Sequence, residues 1–317
     1  MSLKNNLRFY AGQVSNRLED PMKVLSEKSK FNIRSESVSI AEDFKRAGVK
    51  TKLVKQLNLE DFKKVAEYWK SKGYTAGTMQ NKASALRAIC NAAGNENIKN
   101  INNGELGIVS RNVLNPNNLN GAAVISEKSL KKIKNPEVSA ALRLEAAYGL
   151  RREESAHVVF ELAKGHVVTA PGKENILTMK GSWCKNGRER GKITYNGRPN
   201  GELILRDGGV VLKQVAESVK GININYRVEQ FQRKINYAAD KCKKLDNNPD
   251  IHPHALRHNY AHERYREITG RNCPAAGGLK YSEMSSKEQK QYHSAAKIIS
   301  EELGHSRETI SRTYIGK

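Results

Sequence analysis

The stretch HPHALRHNYAHERY, residues 252–265, sets His254 and Arg257 three positions apart, on one face of a helix. Downstream, Leu303-Gly304-His305 is followed nine residues later by Tyr314, within Ser311-Arg312-Thr313-Tyr314-Ile315. Upstream, AAYGLRREES (146–155) places Arg151 at a helix start with Glu154 one turn on, so that the carboxylate can hold the guanidinium. Between them KNGRER (185–190) reads as a turn between strands that projects Lys185, with Arg188 and Arg190 beside it.

Composition says what such residues would act on. Fifty-five Lys plus Arg against 33 Asp plus Glu give 317 residues a formal charge of +22, more than solubility needs, and a polyanion is the natural partner. The excess is not a tail. Residues 1–120 already hold 20 basic against 11 acidic residues, and the remainder carries the rest, as expected if two domains each touch phosphates. Cys90, Cys184, Cys242 and Cys273 form neither a CxxC pair nor a disulfide framework and read as reduced thiols. No signal-peptide core, no run of about 18 apolar residues and no basic amphipathic helix with bulky anchors is present, so the expectation is a cytoplasmic protein without membrane contact, nucleoid-associated if prokaryotic.

The pattern along the chain is mainly α-helical. Residues 37–95 read as helices: Phe62, Val65, Ala66 and Trp69 make one buried stripe stopped by Gly73, and Met79, Ala83, Leu86 and Ile89 or Cys90 make the next. On that second helix Lys82 and Arg87 are left to face solvent or DNA and are the candidate phosphate contacts of the first half. Asn- and Gly-rich residues from about 96 read as a connecting segment. The expected organisation is a helical DNA-binding domain over 1–100, a linker over 101–121 and a second domain over 122–317. In that second domain helices flank a small antiparallel sheet formed by GHVVTA, NILTMKG and ERGKITYN, with turns at PGKEN and KNGR. Val228, Phe231, Ile235, Ala238 and Cys242 share a helix face, and Ser285 with Glu288 forms a capping box.

Taken together, and in this order, the GLRxxE arginine, the strand-turn lysine with its basic cluster, the HxxR box, the LGH box and the tyrosine nine residues beyond resemble the tyrosine recombinases, or phage-type integrases, from about Ala122 to the C-terminus. The resemblance implies that Tyr314 attacks the scissile phosphate to give a 3′-phosphotyrosyl link and a free 5′ hydroxyl. Arg151 and Arg257 would clamp the non-bridging oxygens, Lys185 would protonate the leaving oxygen, and His254 would assist proton transfer at the nucleophile. His305 would donate a hydrogen bond to the phosphate, and Glu154 would orient Arg151. With two arginines and a lysine neutralising the phosphate, no metal or other cofactor is expected. The implied partner is double-stranded DNA carrying a specific recombination site, bound by a tetramer whose two domains clamp the duplex, with accessory DNA-bending or directionality proteins in addition. The implied role is integration or excision of a mobile element. The helical, basic N-terminal half resembles the core-site DNA-binding domain of these enzymes.

Other readings stand beside these. A type IB topoisomerase shares the chemistry, and a non-cleaving relative would hold DNA without cutting it. Arg151 and Glu154 taken alone could be a surface ion pair, Lys185, Arg188 and Arg190 a solvated hairpin tip, and Lys180 or Lys192 the acid instead of Lys185. His254, His258 and His262 stand at i, i+4, i+8, which metal ligands can share. The HxxR assignment instead makes His258 a packed structural histidine and leaves His262 without a role. Tyr265, Tyr281 and Tyr292 compete with Tyr314 as nucleophiles. Residues 268–290 lengthen the interval between HxxR and LGH well beyond the family pattern, and read as a loop touching DNA or a neighbouring protomer. The chain stops at Ile315-Gly316-Lys317 where family members often continue into a docking segment, so that either docking differs or the chain is truncated.

Overall fold

The structure, a computed structural model, describes residues 2–14, 27–109, 121–184, 193–195, 198–305 and 307–317. It divides into two compact units, Met1–Asn112 and Val113–Lys317.

In the first unit, α1 (Leu3–Gln13), α2 (Glu27–Arg46), α3 (Leu59–Ser71), α4 (Ala76–Ala92) and the single turn α5 (Glu96–Lys99) surround one apolar core. Phe62, Val65, Ala66 and Trp69 of α3 are fully buried, as are Ala83, Leu86, Ile89 and Cys90 of α4, so both stripes face inward as the spacing predicts. Asn58 and Thr75 cap α3 and α4 through their side chains, and Gly73 leaves α3 at φ +69°. The Asn/Gly-rich run is not free chain up to residue 109. Ile98, Ile101, Leu106 and Ile108 are buried in this core, and Asn95 Nδ2 donates to the carbonyls of Val54 (2.7 Å) and Leu57 (2.8 Å).

Lys82 requires a correction. It stands three residues after Met79 and four before Leu86, on the inner face of α4, and only 4% of it is exposed. Its ammonium binds Asp43 Oδ2 at 2.9 Å and also donates to Ser39 Oγ, while the Trp69 indole N–H donates to the same Asp43 oxygen at 2.9 Å. The side chain expected to face solvent or DNA is half of a core ion pair. Arg87, too, is turned to its own chain, half-buried over the Phe62 ring, where Nε donates to Ile101 O (2.5 Å) and an Nη to Asn103 Oδ1 (2.7 Å). Breaking a buried pair leaves the other charge stranded, at a cost of about 3–5 kcal/mol. Lys82→Ala should therefore lower the unfolding free energy of the full chain by about that amount. Lys82→Met, which fills the same space but still strands Asp43, should not restore it, whereas Lys82→Met with Asp43→Asn, which removes both charges and keeps an acceptor for the Trp69 indole N–H, should recover part of it. Denaturant titration of the three proteins checks the order.

The second unit begins with α6 (Glu127–Lys131), α7 (Pro136–Tyr148) and α8 (Arg152–Ala163). A four-stranded antiparallel sheet follows, β1 (Thr169–Ala170), β2 (Lys173–Met179), β3 (Ile193–Tyr195) and β4 (Arg198–Ile204), in the order β1-β2-β4-β3. β4 contains Pro199 and Gly201, residues that argue against a central strand. The register resolves this: β2 pairs only with Gly201–Ile204, and Pro199 lies beyond it, opposite Thr194 of β3, where β4 is paired on one side alone. Helices α9 (Val210–Val219), α10 (Val228–Leu245), α11 (Pro253–Thr269), α12 (Ser286–Glu302) and the single turn α13 (Arg312–Ile315) complete the unit. Phe231, Ile235, Ala238 and Cys242 of α10 are buried, and Asp246 at its C-terminus accepts from Ser126 N, Ser126 Oγ and Ser129 Oγ, tying α6 to it. The Ser285–Glu288 capping box opens α12 as expected. All four cysteines are buried free thiols, and among the described residues no helix is long and apolar enough to cross a membrane.

Candidate active site

Gly149 ends α7 in the left-handed region at φ +58°, and a Cβ there would stand 2.8 Å from the Tyr260 ring of α11. Only glycine lets the backbone turn that close to α11. Leu150 is buried behind the turn, and Arg151 becomes the N-cap of α8. Glu154, fully buried, accepts from the Arg151 backbone N–H (2.6 Å) and from its guanidinium (2.7 Å). One carboxylate thus caps the helix and orients the arginine, which keeps 22% of its side chain exposed.

Arg257, only 1% exposed, is drawn from α11 into the same place. It donates to Gly149 O (2.5 Å), to Leu303 O and, through Nε, to Tyr314 Oη (3.2 Å). The nitrogen that donates to Leu303 O, Nη2, also stands 3.3 Å from His305 Nε2, which must accept, because a guanidinium only donates. Arg151 also donates to Leu303 O, at 3.2 Å, so the two guanidinium forks meet on one carbonyl oxygen of the LGH box. The Tyr314 ring lies with its centroid 5.6 Å from that of His254, 4.7 Å from His258 and 5.8 Å from His305.

The structure therefore brings together Arg151, Glu154, His254, Arg257, His305 and Tyr314. Lys185, Arg188 and Arg190 lie outside the described residues, as does Lys192. At the end of the described chain before Lys185, Trp183 stacks on His157 of α8 (5.5 Å, 6° between planes), and Lys180 Nζ lies 5.3 Å over the same indole. The rival tyrosines are built into an apolar cluster shared by α11, α12 and α13: Tyr265 and Tyr292 are fully buried, and Tyr281 donates to or accepts from His293 Nε2 at 2.8 Å.

Two histidines belong to this site that the sequence reading had left aside. His258, expected to be a packed structural residue, is the imidazole nearest the Tyr314 ring. His262, given no role, is buried with Nε2 2.8 Å from the Tyr314 carbonyl oxygen. Their spacing of four residues along one helix was the available signal, but it pointed as readily to a metal site.

Desolvation pushes the His258 imidazole down to about 4, helped by the neighbouring His254, His262, His252 and Arg257. His254, more exposed, is held down to about 4 by desolvation and then by Arg257, His252, Arg151 and Arg152. Both rings are neutral near pH 7 and able to accept a proton. In the unfolded chain they would bind protons from about pH 6.5 downward, so the folded state binds fewer protons between about 6.5 and 4 and loses stability as pH falls through that window. Thermal melting across this range should show the decline, and His258→Asn should make it shallower by removing one of the two contributions.

Residues 17–99 match the family described as Phage integrase, N-terminal. No curated protein matches the chain. Among solved structures, the integrase of the transposon Tn1549 in complex with transposon right end DNA is similar, with a TM-score of 0.54, 13% sequence identity and coverage of 100% of this chain and 95% of that one. The same integrase in complex with circular intermediate DNA gives 0.53 at 14% identity, covering 100% and 96%. Residues 17–99 are therefore similar to the N-terminal domain of phage integrases, and the chain as a whole has the fold of the Tn1549 transposon integrase.

Proposed function

We propose that the chain is a site-specific DNA recombinase of the integrase type, acting for a mobile element, that cuts and rejoins strands through Tyr314. The observation that carries this is the convergence of two guanidiniums on Leu303 O, with Arg257 also holding the Tyr314 hydroxyl at 3.2 Å. A phosphate entering there would meet two guanidinium charges and the attacking oxygen at once.

The bond from Tyr314 Oη to phosphorus forms as the bond to the 5′ oxygen breaks. The phenol proton passes to a neutral imidazole, His254 in this reading, with His258 also against the ring. Lys185 gives the 5′ oxygen its proton, and His305, released from accepting Arg257, donates to a non-bridging oxygen. The phosphotyrosyl bond conserves the energy of the broken linkage, so a 5′ hydroxyl from another strand can reverse the step without ATP. Double-stranded DNA with a recombination site is the substrate, a tetramer on two duplexes the working assembly, and DNA-bending or directionality proteins its accessories. A net charge of +22 supports the DNA partner.

The test is incubation with the DNA of the element's ends, followed by denaturing electrophoresis. A covalent protein–DNA species that reverses on adding a 5′-hydroxyl strand supports the reading. Relaxation of any supercoiled plasmid without a preferred site would point instead to topoisomerase action, and binding without any adduct would remove the enzyme.

A further inference from the structure

Helix α13, which bears the nucleophile, has a single turn, too short to hold itself, and leaves its last carbonyls without helical partners. Those carbonyls are taken by side chains from elsewhere in the unit. Tyr314 O faces His262 Nε2 at 2.8 Å in a buried setting, and since a carbonyl oxygen can only accept, His262 carries its proton on Nε2. Gly316 O accepts from Tyr292 Oη, on α12, at 2.5 Å. From a third side the short turn Pro274–Ala276, within the segment that lengthens the HxxR-to-LGH interval, closes on the backbone: a Cβ on Gly316 would stand 2.7 Å from Ala275 N. Ile315, fully buried, joins Cys273, Ala275 and Met284 in one cluster with Tyr292 and Tyr314.

The extra segment, expected to be a loop touching DNA or a neighbouring protomer, is thus seated on the nucleophile's own helix. Tyr281 in it bonds His293 Nε2, whose Nδ1 faces Glu308 Oε1 at 2.7 Å, one turn before α13. Every hold is on backbone or on the turn leading into α13, and none of these groups touches the phenol oxygen. Tilting the Tyr314 peptide would swing Oη away from Arg257, and a displacement of about 1 Å can cost on the order of a hundredfold in rate.

We infer that His262 and Tyr292 are positioning residues, which with the turn at 274–276 fix the backbone of Tyr314 so that its hydroxyl is presented to Arg257 and the scissile phosphate. The inference rests on the proposed strand-cleaving activity.

The experiment measures, for wild type, His262→Ala, His262→Gln and Tyr292→Phe, the single-turnover rate of adduct formation at saturating DNA, the DNA affinity and the melting temperature. His262→Ala should slow adduct formation by about tenfold or more with affinity nearly unchanged, and glutamine, which keeps an N–H donor, should recover a large part of the rate. Tyr292→Phe keeps the ring in its cluster and removes only the hydroxyl, so it decides the matter if the alanine variant does not fold; a several-fold loss of rate without loss of affinity is expected. A wild-type rate in Tyr292→Phe together with a wild-type rate in His262→Ala, or losses of rate that merely follow the folded fraction or the affinity, would overturn the inference. If wild type itself forms no adduct, the proposed activity falls first and the inference with it.

Discussion

Tyr314→Phe is expected to abolish strand cleavage while leaving DNA binding and the fold in place. The ring is packed against His254, His258 and His305, and phenylalanine preserves all of that. What disappears is the oxygen 3.2 Å from Arg257 Nε, which is also the atom that would attack phosphorus. Deleting the nucleophile of a covalent enzyme costs on the order of 10⁶ in turnover, so adduct formation should drop below detection. A gel-shift titration beside the adduct assay separates the two effects. Loss of binding together with cleavage would mean that the hydroxyl serves the fold.

Arg257→Ala should be nearly as damaging, through a different route. The side chain is 1% exposed and links Gly149 O, Leu303 O, His305 and Tyr314, so its removal deletes the proposed phosphate contact and also the link between the GLR turn, the LGH box and Tyr314. Losing one charge stabiliser typically costs about a hundred- to a thousandfold in rate, and the loss here should lie at or above the top of that range. Arg257→Lys keeps the charge without the planar fork and cannot serve these acceptors together, so it should recover little. Adduct rates at saturating DNA, compared with Arg151→Ala, check this. Near-normal cleavage in Arg257→Ala would remove it from the site.

How much of this was legible in the sequence follows from how local each signal is. The stripes of α3 and α4, the helix start at Arg151, the Arg151–Glu154 pair and the Ser285 capping box depend on residues within a turn or two of one another, and all are found as read. Lys82 was misplaced because its charge outweighed its position, although Met79 and Leu86 on either side already put it on the buried face; its partner Asp43 lies on another helix. β4 was missed because Pro199 and Gly201 look like turn residues, and only the pairing of Gly201–Ile204 with β2 explains how they are tolerated. His262 and Tyr292 bond backbone atoms 52 and 24 residues away, contacts that no local pattern announces. The five motifs are legible as an ordered set, but that Arg151 and Arg257 meet on the carbonyl of Leu303 is a property of the fold alone.

The central claim, that Tyr314 forms the covalent bond to DNA, is tested most directly by mapping the bond. Cells expressing the protein are lysed in denaturant, protein bound to DNA is recovered, nuclease and trypsin are applied, and the peptide that retains a nucleotide is identified by mass spectrometry. Trypsin cuts after Arg312 and after Lys317, so the account predicts a nucleotide phosphate on the peptide TYIGK, residues 313–317, at Tyr314. A nucleotide on Tyr265, Tyr281 or Tyr292, or recovery of no modified peptide from protein that binds the element's DNA, would contradict it.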